Sequence, residues 1–432
     1  MKHFSNGLIL LFIFLVACQP VSKTKSIDYP NYDLKLKINP ATKNIQVTGE
    51  LTLPEAIKIP DSAFFYLQRN LAIKEFSVNG KNIANPDTAA SDNRFMPQAR
   101  KIYLEDDLPA RGPVRIQLEY EGKLDDLPSL FANRISEEWT EIGLYYPWFP
   151  FNPDFFRLFT YTVEVETYKD HHIFGIGEIT KNLHSVQIKS AVPTTDMVIC
   201  MTEDIAEFEM PLGNNSLRIF HQHLPDTTTG AIANNIQSIK KHYENWFGAK
   251  NIDITIIDSK RTKGGGYARI GGIVFSNIDP EGYDERLTNF TRYFAHELAH
   301  LWWFRAKTDS WQDWLNESFA EYSALMVLRE TFGEQEFQSR MAQKQKNIDN
   351  TPPVWGLDRN GVKYKIAYNV LYNKGPVLLY QLEKKTGKEK FMQLGRKMAV
   401  ENINTTDELL TLLSKLEGPE VRDWFEDKLK NY

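Results

Sequence analysis

Phe294-Ala295-His296-Glu297-Leu298-Ala299-His300 decides how the rest of the chain is read, together with Trp314-Leu315-Asn316-Glu317-Ser318-Phe319-Ala320-Glu321 just downstream. The first segment is H-E-x-x-H. On a helix each residue turns about 100°, so His296 and His300 fall on one face, one turn apart. Two imidazoles so placed can grip one zinc ion. Glu297 sits between them, too far round to ligate with ease and well placed to take a proton from a water in the same cleft. A catalytic zinc has three protein ligands and one open position, and Glu317 is the natural candidate for the third. Glu321, one turn further on, is placed to hydrogen-bond the back of a ligand histidine. The bland alternative is a surface helix with two solvated histidines. H-E-x-x-H arises by accident in roughly one chain of this length in a hundred, and the downstream helix argues against accident.

The pattern supports both helices. Asn289, Arg292, His296, His300 and Trp303 fall on one face; Leu287, Phe290, Phe294, Leu298 and Leu301 fall on the other. No Gly or Pro interrupts Leu287 to Phe304, which predicts one uninterrupted helix. The second helix is expected from Asp313 to Phe332, stopped by Gly333, with Ser310 to Asp313 as a capping box.

The chain has 432 residues, 42% hydrophobic and 25% charged, an ordinary globular composition with room for two domains. A net charge of −5 gives no reason to expect a nucleic-acid partner. Lys2 and the apolar run Leu8 to Ala17 read as a targeting segment too short to span a bilayer. It ends Leu15-Val16-Ala17-Cys18, which resembles the lipobox of bacterial lipoproteins. That resemblance implies removal of residues 1–17, acylation of Cys18, and a membrane partner reached through the lipid. Gln19 implies outer-membrane sorting in the cell envelope, and residues 18–26 read as a tether. The other cysteine, Cys200, lies in an apolar run and is expected in a core.

Residues 27–226 are expected to form a β-rich domain. Tyr32 to Ile38, Ile45 to Leu53, Val114 to Tyr120 and Tyr161 to Glu166 alternate in hydrophobicity, with turn signals such as Asn79-Gly80 between them. Antiparallel sheets in a saddle or sandwich follow. The aromatic run Gly143 to Pro150 either packs between sheets or lines a cleft. His221 and His223 share a strand face but lack an acidic partner nearby, and His171-His172 read as a turn; neither pair is assigned chemistry.

From 227 to 432 the period becomes helical, beginning with a helix over Ala231 to Phe247 and a strand over Ile252 to Ile257. The glycine-flanked segment Gly264 to Phe275, with Gly265, Gly266, Tyr267, Ala268 and Arg269, is no phosphate loop. It is either an edge strand that pairs with an extended peptide substrate or a plain hairpin bend. Tyr364, Tyr368 and Tyr372 recur one helical turn apart and share a face. A hydroxyl such as that of Tyr372 stabilises an oxyanion if it lies near a metal, though packing alone also explains it. Amphipathic helices over Thr406 to Leu416 and Glu420 to Leu429 close the chain.

The order H-E-L-A-H, W-L-N-E-S-F-A, Y-N-K-G resembles the aminopeptidase N family of gluzincin zinc metallopeptidases. The resemblance implies one zinc on His296, His300 and Glu317, Glu297 as general base, and Tyr372 as transition-state stabiliser. It also implies an α+β fold, an N-terminal β saddle before a thermolysin-like, mainly helical catalytic domain. Three departures stand out. Sixteen residues separate His300 from Glu317, fewer than the family usually has, and Ser318 replaces a Gly. The family's G-x-M-E-N strand, whose Glu holds the substrate's free amine, reads Gly266-Tyr267-Ala268-Arg269-Ile270, with Arg269 in place of that Glu. A guanidinium repels an ammonium. Glu138 is the expected match to another amine-binding Glu. Aminopeptidase activity is therefore the first expectation. Cleavage of blocked or acidic peptides, or internal cutting, is the second. A non-catalytic zinc-containing surface lipoprotein is the third, and the retained base Glu297 argues against it.

Overall fold

Tyr32, Leu34, Leu36 and Ile38 alternate with polar residues, and in the computed structural model they all point into one core from the strand Asn31–Asn39. The model describes residues 29–432 apart from 58, 60–62, 83–95, 97, 105–111, 125–133, 262–265, 277 and 360. The expected signal segment, Cys18, the tether up to residue 26 and Gly265 lie outside the described residues.

Asn31–Asn39 is central to an eight-stranded sheet. On one side it pairs antiparallel with Asn44–Leu53, which continues to Val114–Lys123 and Leu71–Val78. On the other side it runs parallel to Thr160–Glu166, so the expectation of purely antiparallel sheets fails here, as it does again where Asn215–His221 runs parallel to Ile254–Asp258. No tight turn joins Asn31–Asn39 to Thr160–Glu166; 120 residues intervene, which is what a parallel neighbour needs. The aromatic run packs between sheets: Trp148 and Phe149 are fully buried, the Tyr120 hydroxyl donates to the Trp148 carbonyl, and the Trp148 indole N–H donates to Met197. Tyr145 is the exception, turned toward Arg269. Cys200 is buried in a small separate core with Trp139, Phe174 and Tyr267.

A five-stranded sheet opens the second half, in the order Ala206–Leu212, Asn215–His221, Ile254–Asp258, Gly272–Phe275, Gly266–Arg269. Its first two strands precede residue 227, and Leu212, Leu217 and Ile219 pack in the core of the second half. Helix α1 (Asp226–Phe247) follows them, and α2 (Leu287–Ala299), α3 (Trp314–Phe332) and α4 (Glu334–Lys346) complete the framework around the site. Nearly every residue of α3 from Trp314 to Leu328 is buried, so it is the central helix of this half. The overall architecture is the α+β arrangement expected, sheets first and helices after.

Two helix boundaries depart from the expectation. Helix α2 stops at Ala299 instead of Phe304, because the amides of Leu301 and Trp302 each bond the carbonyl three residues back and tighten the chain out of the helix. Trp302 and Trp303 then turn onto α1, ring to ring with Tyr243 and Phe247. Ser310 caps a short 3-10 turn, accepting from the Gln312 amide, and α3 starts only at Trp314. The expected capping box does not form; Asp313 instead accepts from Asn316 and pairs with Arg359.

Candidate metal centre

Helices α2 and α3 cross so that three donor atoms meet. His296 Nε2 lies 3.4 Å and His300 Nε2 3.8 Å from the same Glu317 oxygen, Oε2. Ligand atoms about 2.0–2.2 Å from a tetrahedral zinc stand roughly 3.3–3.6 Å from one another, so the separations suit that ion. The remaining ring nitrogens are occupied elsewhere. His296 Nδ1 is 3.0 Å from Glu321 Oε2, and His300 Nδ1 is 2.9 Å from the Trp303 carbonyl, so both Nε2 atoms are turned to the shared point. Glu317 Oε2 is buried and has no hydrogen-bond donor among the described residues, an orphaned acceptor that a cation would satisfy. Among the described residues these three form the one cluster with metal-ligand spacing.

The electrostatics point the same way. Burial would raise the Glu317 carboxyl, yet His300 and His296 outweigh it and hold it at about 2. Burial would lower His296, yet Glu317, Glu321 and Glu297 outweigh it and hold the imidazole at about 10. A site that protonates a buried histidine so firmly is a site that favours positive charge. Glu297 is half-buried and acts electrostatically on both His296 and Tyr372, which puts its carboxylate over the same cleft.

Behind His296, Glu321 is fully buried between two cations. Arg292 Nη1 lies 2.7 Å from both its oxygens, and Lys344 Nζ lies 2.5 Å from Oε1. Burial alone would raise the Glu321 carboxyl; Lys344 and Arg292 outweigh it and hold it well below the carboxylate range. Glu321 thus stays an acceptor and fixes the His296 tautomer and ring. Sequence reasoning named Arg292 only as a face residue and missed Lys344. The signal was there: Phe337, Met341 and Lys344 mark the buried stripe of α4, so the lysine points inward.

Tyr372 arrives on a helix that changes pitch. Residues Tyr364–Asn369 form α5, Val370–Lys374 a π-helical turn, and Gly375–Thr386 helix α6. A π turn loosens backbone bonding, and two carbonyls here are taken by side chains. The Ser318 hydroxyl donates to Leu371 at 2.6 Å, and Lys344 donates to Tyr372 at 2.7 Å. Ser318, a departure from the family pattern, therefore has a bonding role in this turn. Gly375 is required beside it, since a Cβ there would lie 1.9 Å from the Ser318 hydroxyl oxygen. The Tyr372 ring stacks on His296 at 5.4 Å, close enough for its phenol and the Glu317 carboxylate to act on one another electrostatically. Burial, then Glu317, push the phenol well above its usual pKa, so it remains a donor.

The strand Gly266–Arg269 is the free edge of the five-stranded sheet and abuts α2; a Cβ on Gly266 would strike the Tyr293 hydroxyl. It is also one arm of a hairpin, antiparallel to Gly272–Phe275, so the segment is a sheet edge and a hairpin at once. Tyr267 and Arg269 point away from α2, toward the first half. Arg269 Nε is 2.6 Å from Asp196 Oδ2, and its guanidinium lies over the rings of Tyr267 and Tyr145 at 4.4 and 5.0 Å. Burial pushes Asp196 upward against Arg269 and the Leu144 and Met197 amides; burial would lower Arg269, but Asp196 outweighs it. A guanidinium keeps its proton in proteins and three donors surround Asp196, so the pair is ionised. The expectation of a bare positive charge at Arg269 is thereby corrected. Glu138 is corrected too: it is largely exposed and pairs with Lys260 at 2.9 Å. The buried carboxylate nearby is Glu141, which sequence reasoning passed over. It accepts from Ser259, Trp139 and Tyr267. Ala268, between Tyr267 and Arg269, faces α2 with Gly266.

Residues 234–427 match the family described as the peptidase family M1 domain. Endoplasmic reticulum aminopeptidase 2 of Bos taurus is 31% identical over 110 residues, 23% of this chain and 12% of that protein. Glutamyl aminopeptidase of Bos taurus is 26% identical over 309 residues, 62% of this chain and 32% of that protein. The matches therefore span well under half the length of these relatives. The structure of an M1 zinc metallopeptidase from Deinococcus radiodurans superposes with a TM-score of 0.71 over 94% of both chains at 20% identity, a likeness of fold. With the matched residues running from within α1 to the last helix, the helical half of this chain is a peptidase family M1 domain, and nearly the whole chain shares the fold of an M1 zinc metallopeptidase.

Proposed function

We propose that the chain is a zinc-dependent metallopeptidase. The observation that carries this is the convergence of His296 Nε2, His300 Nε2 and the orphaned Glu317 Oε2, with Tyr372 stacked on His296. His296, His300 and Glu317 would hold a zinc ion, which would supply Lewis-acid polarisation of the substrate carbonyl and of the attacking water. Glu297 accepts the proton of that water and passes it to the leaving amine. The Tyr372 hydroxyl donates to the oxygen on which charge develops at the carbonyl carbon. Glu321, clamped by Arg292 and Lys344, keeps the His296 ring oriented throughout.

Removal of single residues from the amino terminus is the reading that the family resemblance and the names of the relatives favour. A specific observation favours the second reading, peptides without a free amine or cut internally. Among the described residues around Arg269 each carboxylate is already engaged: Asp196 by Arg269 and two amides, Glu141 by three side chains, and Glu138 by Lys260. The ion pair leaves little net charge, so a preference for acidic peptides loses its support.

A mixed library of free and N-acetylated peptides, digested by the zinc-loaded protein with and without a chelator, decides between the two. Chelator-sensitive stepwise loss from free termini establishes the first reading; internal cuts or cleavage of acetylated peptides establish the second. No cleavage by zinc-loaded protein overturns both. We also propose that acylated Cys18 anchors the chain to the bacterial envelope; unchanged membrane partition of Cys18→Ser would refute this.

A further inference from the structure

Three tyrosines run outward from the metal centre. Tyr372 stacks on His296, Tyr368 stacks on Tyr372 at 4.5 Å with rings within 13° of parallel, and Tyr364 continues at 6.3 Å. The first ring is half-buried, the second 40% exposed and the third 79% exposed. Large rings left to solvent beside a buried polar site are unusual, and here they form one continuous surface that begins at the candidate oxyanion donor. They occupy the wall opposite the edge strand. On α2, Tyr293 and Glu297 face Gly266–Arg269, whereas Arg292 and His296 face Glu321 and the tyrosines. Lys363 and Lys365 flank Tyr364 in the sequence and are both exposed, so this end of the helix carries positive charge on the rim.

We propose that Tyr368 and Tyr364 form a substrate subsite that takes a flat, uncharged aromatic side chain of the peptide, one or two residues from the scissile bond. An extended peptide rises about 3.3 Å per residue, so a side chain at that distance from a carbonyl beside Tyr372 reaches the Tyr368 ring. Offset stacking supplies the preference. The rim lysines discriminate against Lys and Arg, which would otherwise be drawn to the ring faces. This inference rests on the metallopeptidase reading for its substrate, and on the ladder alone for its selectivity.

The test uses the zinc-loaded chain and a peptide series in which the two residues on each side of the cleaved bond are varied among Phe, Leu, Ala and Lys. At one of these positions Phe should exceed Leu in kcat/KM by roughly 2- to 10-fold, with Lys lowest. Tyr364→Ala with Tyr368→Leu should remove that preference, read as a rise in KM for the Phe peptide towards that of the Ala peptide, while Tyr368→Phe retains it. A second measurement needs no turnover: calorimetry of chelator-treated protein with a reduced-bond Phe peptide and its Ala counterpart. The wild type should bind the Phe peptide more tightly, and the double variant should not distinguish them. Equal binding and equal cleavage of the series, or a preference that survives the double variant, overturns the subsite. Hydrolysis of no peptide at all overturns the metallopeptidase reading instead, and the calorimetric comparison still decides the subsite.

Discussion

At the scale of single residues, the convergence of His296, His300 and Glu317 was legible because H-E-x-x-H carries its geometry in its spacing. Glu297→Gln should lower kcat by roughly 10²–10⁴-fold, the usual share of a general base, with zinc content unchanged when both are assayed on one preparation. What the sequence hid is the company each group keeps. Lys344 sits 48 residues from His296, and its partners Glu321 and the Tyr372 carbonyl meet only in the fold. Lys344→Met should reduce kcat by about tenfold or more while zinc binding persists, because Tyr372 loses its anchor and Glu321 loses one of two cations. Breaking such a buried ion pair also costs about 3–5 kcal/mol of stability, which urea titration would show. Arg269 is the counter-lesson. Its type was read correctly and its charge state in context was not, since Asp196, 73 residues away, neutralises it.

At the scale of elements, periodicity located the helices and left their ends to local chemistry. Helix α2 ends early because His300, Leu301 and Trp302 switch to three-residue bonding, and nothing in a run free of Gly and Pro announces that. The π turn was equally silent, since the tyrosines keep their fourfold spacing through it. Its fit against α3 can be tested with the two small residues at the crossing. Gly375→Ala should destabilise the protein by about 1–3 kcal/mol through overpacking, because the new methyl meets the Ser318 hydroxyl and Cβ. Adding Ser318→Gly should recover much of that loss in chemical denaturation, despite removing the bond to Leu371. An additive double variant would show that the clash lies elsewhere.

At the scale of the whole molecule, the order of sheets before helices was readable, and the pairing of distant strands was not. Alternation says that Asn31–Asn39 is a strand; only the fold says that Thr160–Glu166 runs parallel to it. Specific polar ties join the two halves at several points. Arg157 donates to the carbonyls of Phe304, Arg305 and Ala306, and Asp196 holds Arg269. Placing a glutamate at 269 alone would set two buried carboxylates side by side. Free-amine hydrolysis should therefore improve only in the pair Arg269→Glu with Asp196→Asn, and steady-state kinetics on free and acetylated peptides would show it. Stability should also depend on pH through Asp258, at the end of its strand in the five-stranded sheet. Burial lifts its carboxyl to about 7, against an unfolded value of 3.8, with Lys260 only partly opposing. The folded state then binds the extra proton between those values, so this contribution falls as pH rises from 4 to 7. Urea midpoints at pH 5 and pH 8 should differ less in Asp258→Asn than in the wild type.

The sequence distance spanned by the ties between the halves has a consequence in time. The three metal donors and Glu321 all come from α2 and α3, within 26 consecutive residues, so they assemble by local folding. The wall carrying Arg269 and the loop held by Arg157 need loops of 73 and about 150 residues to close first. During refolding the chain should therefore take up zinc before it can choose a peptide, and the interval between the two events would measure how long the halves take to dock.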